Sequence, residues 1–224
     1  HRCYPDGRGS SMDVIAGIQC LGRRGIAIGL TCVVTAENVA ELSGVIEMAY
    51  YLGNVRRIGF DLLRAQGRGS AVRPAREEDM VRAMEQVFAR NEHLGRLHGY
   101  RIVIAQEKQA ACLAQRTGDG FSHCHAMNGE GIHVASDGSI YACSSLVGDA
   151  RFFLGTVESG VDARRQKEVA AMMQEKMSFC ARCPDFTACG GACFARWLGT
   201  ERDEPCASEC ALKRAAVRQV SGTS

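Results

Sequence analysis

Long hydrophobic runs are missing from the sequence: nothing in it approaches the roughly 18 to 20 apolar positions needed to cross a bilayer. A charged-then-apolar leader is missing as well, since the chain opens His1-Arg2-Cys3-Tyr4-Pro5. No membrane partner is expected, and the chain reads as cytoplasmic. Charge of one sign is equally scarce, 27 Lys and Arg standing against 25 Asp and Glu for a balance of +2. That excludes the basic footprint of a nucleic-acid partner and the polyacidic tail of a disordered chain. No initiating methionine stands at the start, and the first residues read as the middle of a loop. An amino-terminal portion is therefore expected upstream of the sequence.

What is present is apolar matter and sulfur. Hydrophobic residues make up 46% of the 224, enough for one moderate core or two small ones. The twelve cysteines are many for a reduced compartment, where metal ligation is a commoner use than disulfides. Disulfide scaffolds are mostly short and secreted, and neither description fits. Cys3, Cys20 and Cys32 are scattered through the first half, while nine fall between Cys112 and Cys210. Two territories follow, residues 1–108 and 109–224.

The first territory alternates strands with helices. Ile15, Ile18 and Leu21 stand at helical spacing, and Gly22 to Gly25 closes that segment. Ile26 to Val34 is nearly continuous in apolar residues, as expected of a parallel strand buried on both faces. Thr35 can cap a helix striped by Val39, Leu42, Ile46 and Ala49 and stopped at Gly53. Val55 to Leu63 reads as a second strand, Gly67 to Ser70 as a loop, Ala75 to Leu97 as a helix and Tyr100 to Gln106 as a third strand. Alternation of this kind implies parallel pairing through right-handed crossovers, in an open α/β sheet or part of a barrel. Functional side chains gather at the carboxy ends of such strands, which points to Thr35, Asn38, Asp61 and Arg64. Their plainer roles are helix capping for Thr35 and Asn38 and a surface ion pair for Asp61 and Arg64. Gly67 and Gly69 make only a fragment of a phosphate cradle.

The second territory carries an array. Cys180 and Cys183 are two residues apart, Cys189 follows after five more, and Cys193 after three, with Gly190 and Gly191 between. Thiolates at such spacing can bind one centre from a single turn, and glycines let the backbone approach a bulky inorganic core. Upstream, thirteen residues separate Cys124 from Gly138, and four separate Gly138 from Cys143. Asp137-Gly138, between the apolar runs at 132–136 and 139–142, is a hairpin signal that would present Cys143 at a fixed place.

Taken together, these cysteines and the phrases Ser136 to Cys143 and Phe153-Leu154-Gly155-Thr156-Val157 resemble the SPASM domain of radical S-adenosylmethionine (SAM) peptide and protein maturases. The likeness covers about residues 109 to 214. Gly7 to Ser10 and Val33 to Asn38 are similar, less distinctively, to the later strands and helices of the same enzymes' partial barrel. The resemblance implies the carboxy-terminal part of a partial (β/α) barrel followed by a small cysteine-rich α+β domain with a β-hairpin. It further implies two auxiliary [4Fe–4S] clusters with interleaved ligands. Cys124, Cys143 and Cys193 would hold the first, with Cys112 as a possible fourth ligand. Cys180, Cys183 and Cys189 would hold the second, completed by Cys210 or by Cys206.

Two departures stand out. The Cys-x3-Cys-x2-Cys loop that holds the SAM-cleaving cluster in the family does not occur in the 224 residues. A third [4Fe–4S] cluster and SAM itself are thus expected only in a longer protein, and this chain alone is not expected to cleave SAM. Ser144 stands where sulfatase-maturing relatives carry an aspartate, and a serine without a neighbouring base cannot take that role. Other peptide modifications are favoured over sulfatase maturation. The family implies a peptide or protein substrate and a reductant such as a flavodoxin or ferredoxin.

Other residues have plainer readings. His123 and His125 flank Cys124 but read as solvated or supporting groups more readily than as ligands. Met172, Met173 and Met177 read as a packed helix face and Trp197 as core. Cys3, Cys20 and Cys32 read as ordinary small residues, the last two buried. The competing functions are a zinc-ribbon-like binding module, since Cys-x2-Cys pairs also hold zinc, and an iron–sulfur electron carrier without catalysis of its own.

Overall fold

The computed structural model describes residues 3–64, 69, 71–115, 121, 124–198 and 206–222. Two compact units are built from His1–Leu63 with Arg73–Lys108, and from Arg64–Val72 with Gln109–Ser224. Of the residues singled out above, Gly67, Ser70 and His123 lie outside the described ones.

In the first unit, helix α1 (Ser11–Arg23) leads to strand β1 (Ile28–Val34), a 3-10 turn at Val39–Glu41, α2 (Leu42–Leu52), β2 (Val55–Leu62), α3 (Glu77–His98), β3 (Val103–Ile104) and the first turn of α4 (Ala105–Ala114), whose residues from Gln109 on belong to the second unit. The three strands are parallel in the order β1-β2-β3, with Leu30 opposite Ile58 and Ile58 opposite Ile104. Helices alternate with them because an apolar stripe recurs every third or fourth residue: Leu42, Ile46 and Ala49 on α2, and Met80, Met84 and Val87 on α3, are buried. Gly53 and Gly99, at φ 74°, end α2 and α3 in the left-handed conformation. Beneath them Tyr50 donates its hydroxyl to Asn91 Oδ1 at 3.0 Å, and Asn91 Nδ2 donates to the Ile102 carbonyl at 2.8 Å. A buried amide is tolerable there because both its ends are partnered.

Four expectations are corrected in this unit. Gly29, Thr31 and Val33 of β1 are exposed, because side chains alternate along the strand and one of its faces is uncovered in this unit. The third strand pairs only at Val103 and Ile104, since α4 begins at Ala105; Gln106 completes the ladder with its side chain, donating to the Phe60 carbonyl at 2.8 Å. Cys20 is exposed on α1 and Cys32 half-buried, so neither is core. Thr35 and Asn38 do not cap a helix: the N-cap of α2 is Glu41, and Asn38 makes no side-chain capping bond to the 3-10 turn. Asn38 Oδ1 accepts the Thr35 amide at 2.8 Å and Thr35 Oγ1 accepts the Glu37 amide at 3.2 Å, closing the turn after β1. Asp61 and Arg64 are half-buried at the end of β2 and just beyond it.

The second unit holds four short antiparallel strands in sequence order: β4 (His133–Val134), β5 (Ser139–Tyr141), β6 (Phe153–Thr156) and β7 (Gly160–Val161). The β4–β5 hairpin turns at Asp137-Gly138, where Gly138 takes φ 85° and Asp137 Oδ1 accepts the Ser139 amide at 2.9 Å. Helix α5 (Ala163–Lys176) is capped by Asp162, whose Oδ1 accepts the Arg165 amide at 2.9 Å. Short helices α6 (Ser178–Ala181), α7 (Phe186–Cys189) and α8 (Phe194–Trp197) follow, then the longer α9 (Ala207–Ser221). The core packs Phe152 edge-to-face on Phe194 at 5.6 Å, with Met127, Met173 and Met177 fully buried around them. Met172 and Trp197 are partly buried against the same core. Among the described residues, no helix is long and apolar enough to cross a membrane.

Candidate metal centre

Two groups of thiols are assembled in the second unit, and their membership does not follow sequence order. The first group forms from three successive turns. The Cys183 amide donates to the Cys180 carbonyl at 2.9 Å, the Phe186 amide to Cys183 at 3.0 Å and the Cys189 amide to Asp185 at 2.8 Å. These turns bring Cys180, Cys183 and Cys189 around one cavity of about 160 Å³, and Cys210 from α9 completes the wall. That is on the order of ten times the roughly 10–15 Å³ that one water needs. Cys206 is the residue just before α9, and its sulfur faces the Ser208 hydroxyl at 3.2 Å.

Gly190 and Gly191 have different reasons to be glycine. Gly190 ends α7 at φ 71° in the left-handed region. Gly191, at φ 84°, also lines the cavity, but a Cβ on it would come within 2.5 Å of Phe121 and 3.1 Å of Phe186. The absent side chain thus makes room for two aromatic rings as well as for the cavity. The amide of Gly191 donates to Cys189 Sγ at 3.3 Å.

Burial disfavours the ionised form of Cys180, Cys189 and Cys210. Burial pushes Cys210 up to about 12, with Arg214 opposing and Glu209 and the thiols of Cys180 and Cys189 adding to the rise. Burial also raises Cys180 and Cys189, each with Lys213 opposing. Four neighbouring thiolates repel one another, so they ionise together only around positive charge, which is the linkage expected of a metal site.

The second group gathers Cys124, Cys143 and Cys193. Cys124 sits in a turn whose carbonyl accepts the Met127 amide at 3.0 Å. Cys143 follows β5, and its sulfur accepts the Ser145 amide at 3.5 Å. Cys193 immediately precedes α8, four residues after Cys189. All three pack against the core of the unit. The Cys124 thiol is raised foremost by burial, then by the nearby thiols of Cys193 and Cys143, while the Met127 and Ala126 amides oppose. Cys112 is exposed on α4. His125 is exposed and meets Glu130 Oε2 at 3.3 Å.

A buried ionic cluster accompanies the thiols, and residue spacing alone did not flag it. Glu209, 3% exposed, pairs with Arg196 at 2.9 Å and with Lys213 at 3.5 Å. Lys213 also donates to the Gly191 carbonyl. Arg214 pairs with Asp185 at 2.8 Å and donates to Cys183 Sγ at 3.5 Å. The available signal was Glu209 and Lys213 at helical spacing beside Cys210.

Among the described residues, no three His, Cys, Asp or Glu side chains stand close enough to hold one metal ion. A single zinc would draw its sulfurs to about 2.3 Å from one point. A four-iron cluster asks instead for donors spread around a cavity, each iron taking its own thiolate.

No known protein-family model matches the chain. An uncharacterized protein of Methanocaldococcus jannaschii is similar, 29% identical over 147 residues that make 66% of this chain and 45% of that protein. Among solved structures, native anSMEcpe with bound AdoMet aligns with a TM-score of 0.71 at 16% identity, over 97% of this chain and 61% of that one. Native anSMEcpe with bound AdoMet and Kp18Cys peptide aligns at 0.67 and 15%, over 97% and 62%. The chain thus spans less than half of the curated relative and about three-fifths of the solved chains. The chain therefore shares the fold of these solved anSMEcpe chains over the part it spans.

Proposed function

We propose that this chain is the carboxy-terminal, cluster-bearing portion of a radical SAM enzyme that modifies a peptide or protein. Residues 1–108 are the later part of its barrel and residues 109–224 its auxiliary domain. The observation that carries the reading is the cavity walled by Cys180, Cys183, Cys189 and Cys210, beside a separate group of Cys124, Cys143 and Cys193. The first four would hold one [4Fe–4S] cluster and the other three a second. Cys112 remains a possible fourth ligand of the second, and Cys206 the alternative to Cys210 in the first. When bound, such clusters supply one-electron transfer or a place to anchor substrate.

The chain's own residues supply the rest. Cys180 is buried and the other thiols of the two groups are half-buried, which limits water at the sulfurs, and the amides of Gly191 and Ser145 donate to Cys189 and Cys143. Backbone donors at ligating sulfur stabilise the ionised form and fix its direction. Support for a peptide partner comes from the fold likeness to anSMEcpe, which was solved with a bound peptide. The electron donor in this reading is a flavodoxin or ferredoxin, and SAM with its own cluster binds to segments of the whole protein outside these 224 residues.

The test is anaerobic reconstitution of the chain followed by metal analysis. About eight irons per chain with matching sulfide are expected, since two clusters carry four irons each. Stoichiometric zinc with no iron would instead support the binding-module alternative and end this reading.

A further inference from the structure

Among the described residues, Lys213 and Arg214 are cations that line the cavity of the first thiol group. Arg214 lies four residues after Cys210 on α9, so both face the same side of that helix. Its guanidinium donates to Cys183 Sγ at 3.5 Å and is held by Asp185 at 2.8 Å. Lys213 lines the same cavity but is engaged by Glu209 and the Gly191 carbonyl. The second thiol group is surrounded differently. The sulfur of Cys143 takes the Ser145 amide, and Arg196, three residues after Cys193, is engaged by Glu209 at 2.9 Å.

Resting on the cluster reading above, we infer that Arg214 is the residue that sets the two centres apart in reduction potential, making the Cys180/Cys183/Cys189/Cys210 centre the easier to reduce. Each centre takes up one electron on reduction and becomes more negative by one charge. A charged donor at a ligating sulfur favours the more negative state, and hydrogen bonds to sulfur and local charge are among the factors that set such potentials. Asp185 moderates the effect by partly neutralising the guanidinium while holding it in place. Both side chains of that pair are about 40% exposed, so solvent screens part of the interaction. Electrons thus settle first on the centre nearest Arg214, and Arg214 acts there as a positioning residue.

The experiment is a dithionite titration of the anaerobically reconstituted chain, the dithionite supplying the electrons, followed by paramagnetic resonance. Signals are assigned to their centres with Cys180→Ala and Cys143→Ala. In Arg214→Gln, the reduced-to-oxidised ratio of the Cys180-dependent centre at fixed poise falls about tenfold, ~59 mV for one electron, while the Cys143-dependent centre stays in place. Asp185→Asn moves the same centre the other way. A fully loaded Arg214→Gln chain with an unmoved midpoint, or an equal shift of both centres, would overturn the inference. If Arg214→Gln loads no iron, Asp185→Asn decides, and an unchanged or lowered midpoint there overturns it too. A wild-type chain without iron would overturn the cluster reading itself, and metal analysis of the same samples tells the two failures apart.

Discussion

The carboxylate of Glu209 accepts the backbone N–H of Cys193 at 3.0 Å, although Glu209 lies on α9 beside the first thiol group and Cys193, just before α8, lies in the second. Glu209 is the immediate neighbour of Cys210, so one buried side chain ties the wall of one thiol group to the backbone of the other. Arg196 and Lys213 complete its partners. Removing one member of a buried ion pair leaves the others uncompensated, which typically costs ~3–5 kcal/mol. Glu209→Ala should destabilise the metal-free chain by about that much in urea unfolding. Glu209→Gln should lose less, because an amide oxygen can still accept from Cys193. Equal effects of the two substitutions would show that the tie to Cys193 contributes nothing.

Family likeness grouped Cys193 with Cys124 and Cys143 rather than with Cys189, and in the structure the Cys124 thiol is influenced by the thiols of Cys193 and Cys143. The β4–β5 turn was legible for a local reason: Asp137-Gly138 satisfies its own backbone demands, Gly138 at positive φ and Asp137 bonding the Ser139 amide. Failures came where tertiary surroundings decide. The apolar run of β1 carries no mark that one of its faces is left uncovered in this unit, and Gln106 gives no hint that its amide completes a ladder that backbone should have continued. Glu209 was missed because a glutamate on a helix ordinarily faces solvent, and only the convergence of Arg196, Lys213 and the Cys193 amide makes its burial tolerable.

Gly191 is constrained from two directions, by φ 84° and by the ring of Phe121. Gly191→Ala should destabilise the chain by ~1–3 kcal/mol, combining backbone strain with overpacking. Phe121→Leu removes the ring that the new Cβ would meet. The double variant should therefore cost less than the sum of the two single ones in a double-mutant cycle read by thermal unfolding. Strict additivity would remove the steric part of this account.

Alkaline pH should weaken the metal-free chain. Burial holds Cys210 up to about 12 and raises Cys124, Cys180 and Cys189, whereas unfolded thiols ionise near ~8.5. Above ~8.5 the unfolded chain loses these protons first, so stability present below that value is lost as pH rises toward the folded values. The slope is at most ~1.4 kcal/mol per pH unit for each such thiol, less where solvent reaches it. Urea midpoints measured from pH 7 to 10.5 under reductant test this, and Cys210→Ser should flatten the decline. A flat profile in the unaltered chain would contradict it.

Cys210 and Cys206 should separate cleanly in metal content. Cys210 shares the cavity with Cys180, Cys183 and Cys189, while the sulfur of Cys206 faces Ser208. Cys210→Ser should fall from about eight irons toward about four after reconstitution, and Cys206→Ser should keep about eight. The reverse pattern would make Cys206 the ligand.

The central claim, that two clusters share an interleaved set of thiols, is met most directly by paramagnetic resonance of single-cysteine variants of the reduced, reconstituted chain. Cys193 lies four residues after Cys189, yet the thiol of Cys124 is influenced by Cys193 and Cys143, and Cys189 stands in the other cavity. Losing a ligating thiolate alters the charge and iron coordination of its own cluster first. Cys193→Ala is therefore expected to perturb the signal that Cys124→Ala and Cys143→Ala perturb, and Cys189→Ala the signal that depends on Cys180 and Cys183. If Cys193→Ala instead matched the Cys180 and Cys183 variants and left the Cys143-dependent signal intact, the four closely spaced cysteines would form one simple site and the account would be contradicted.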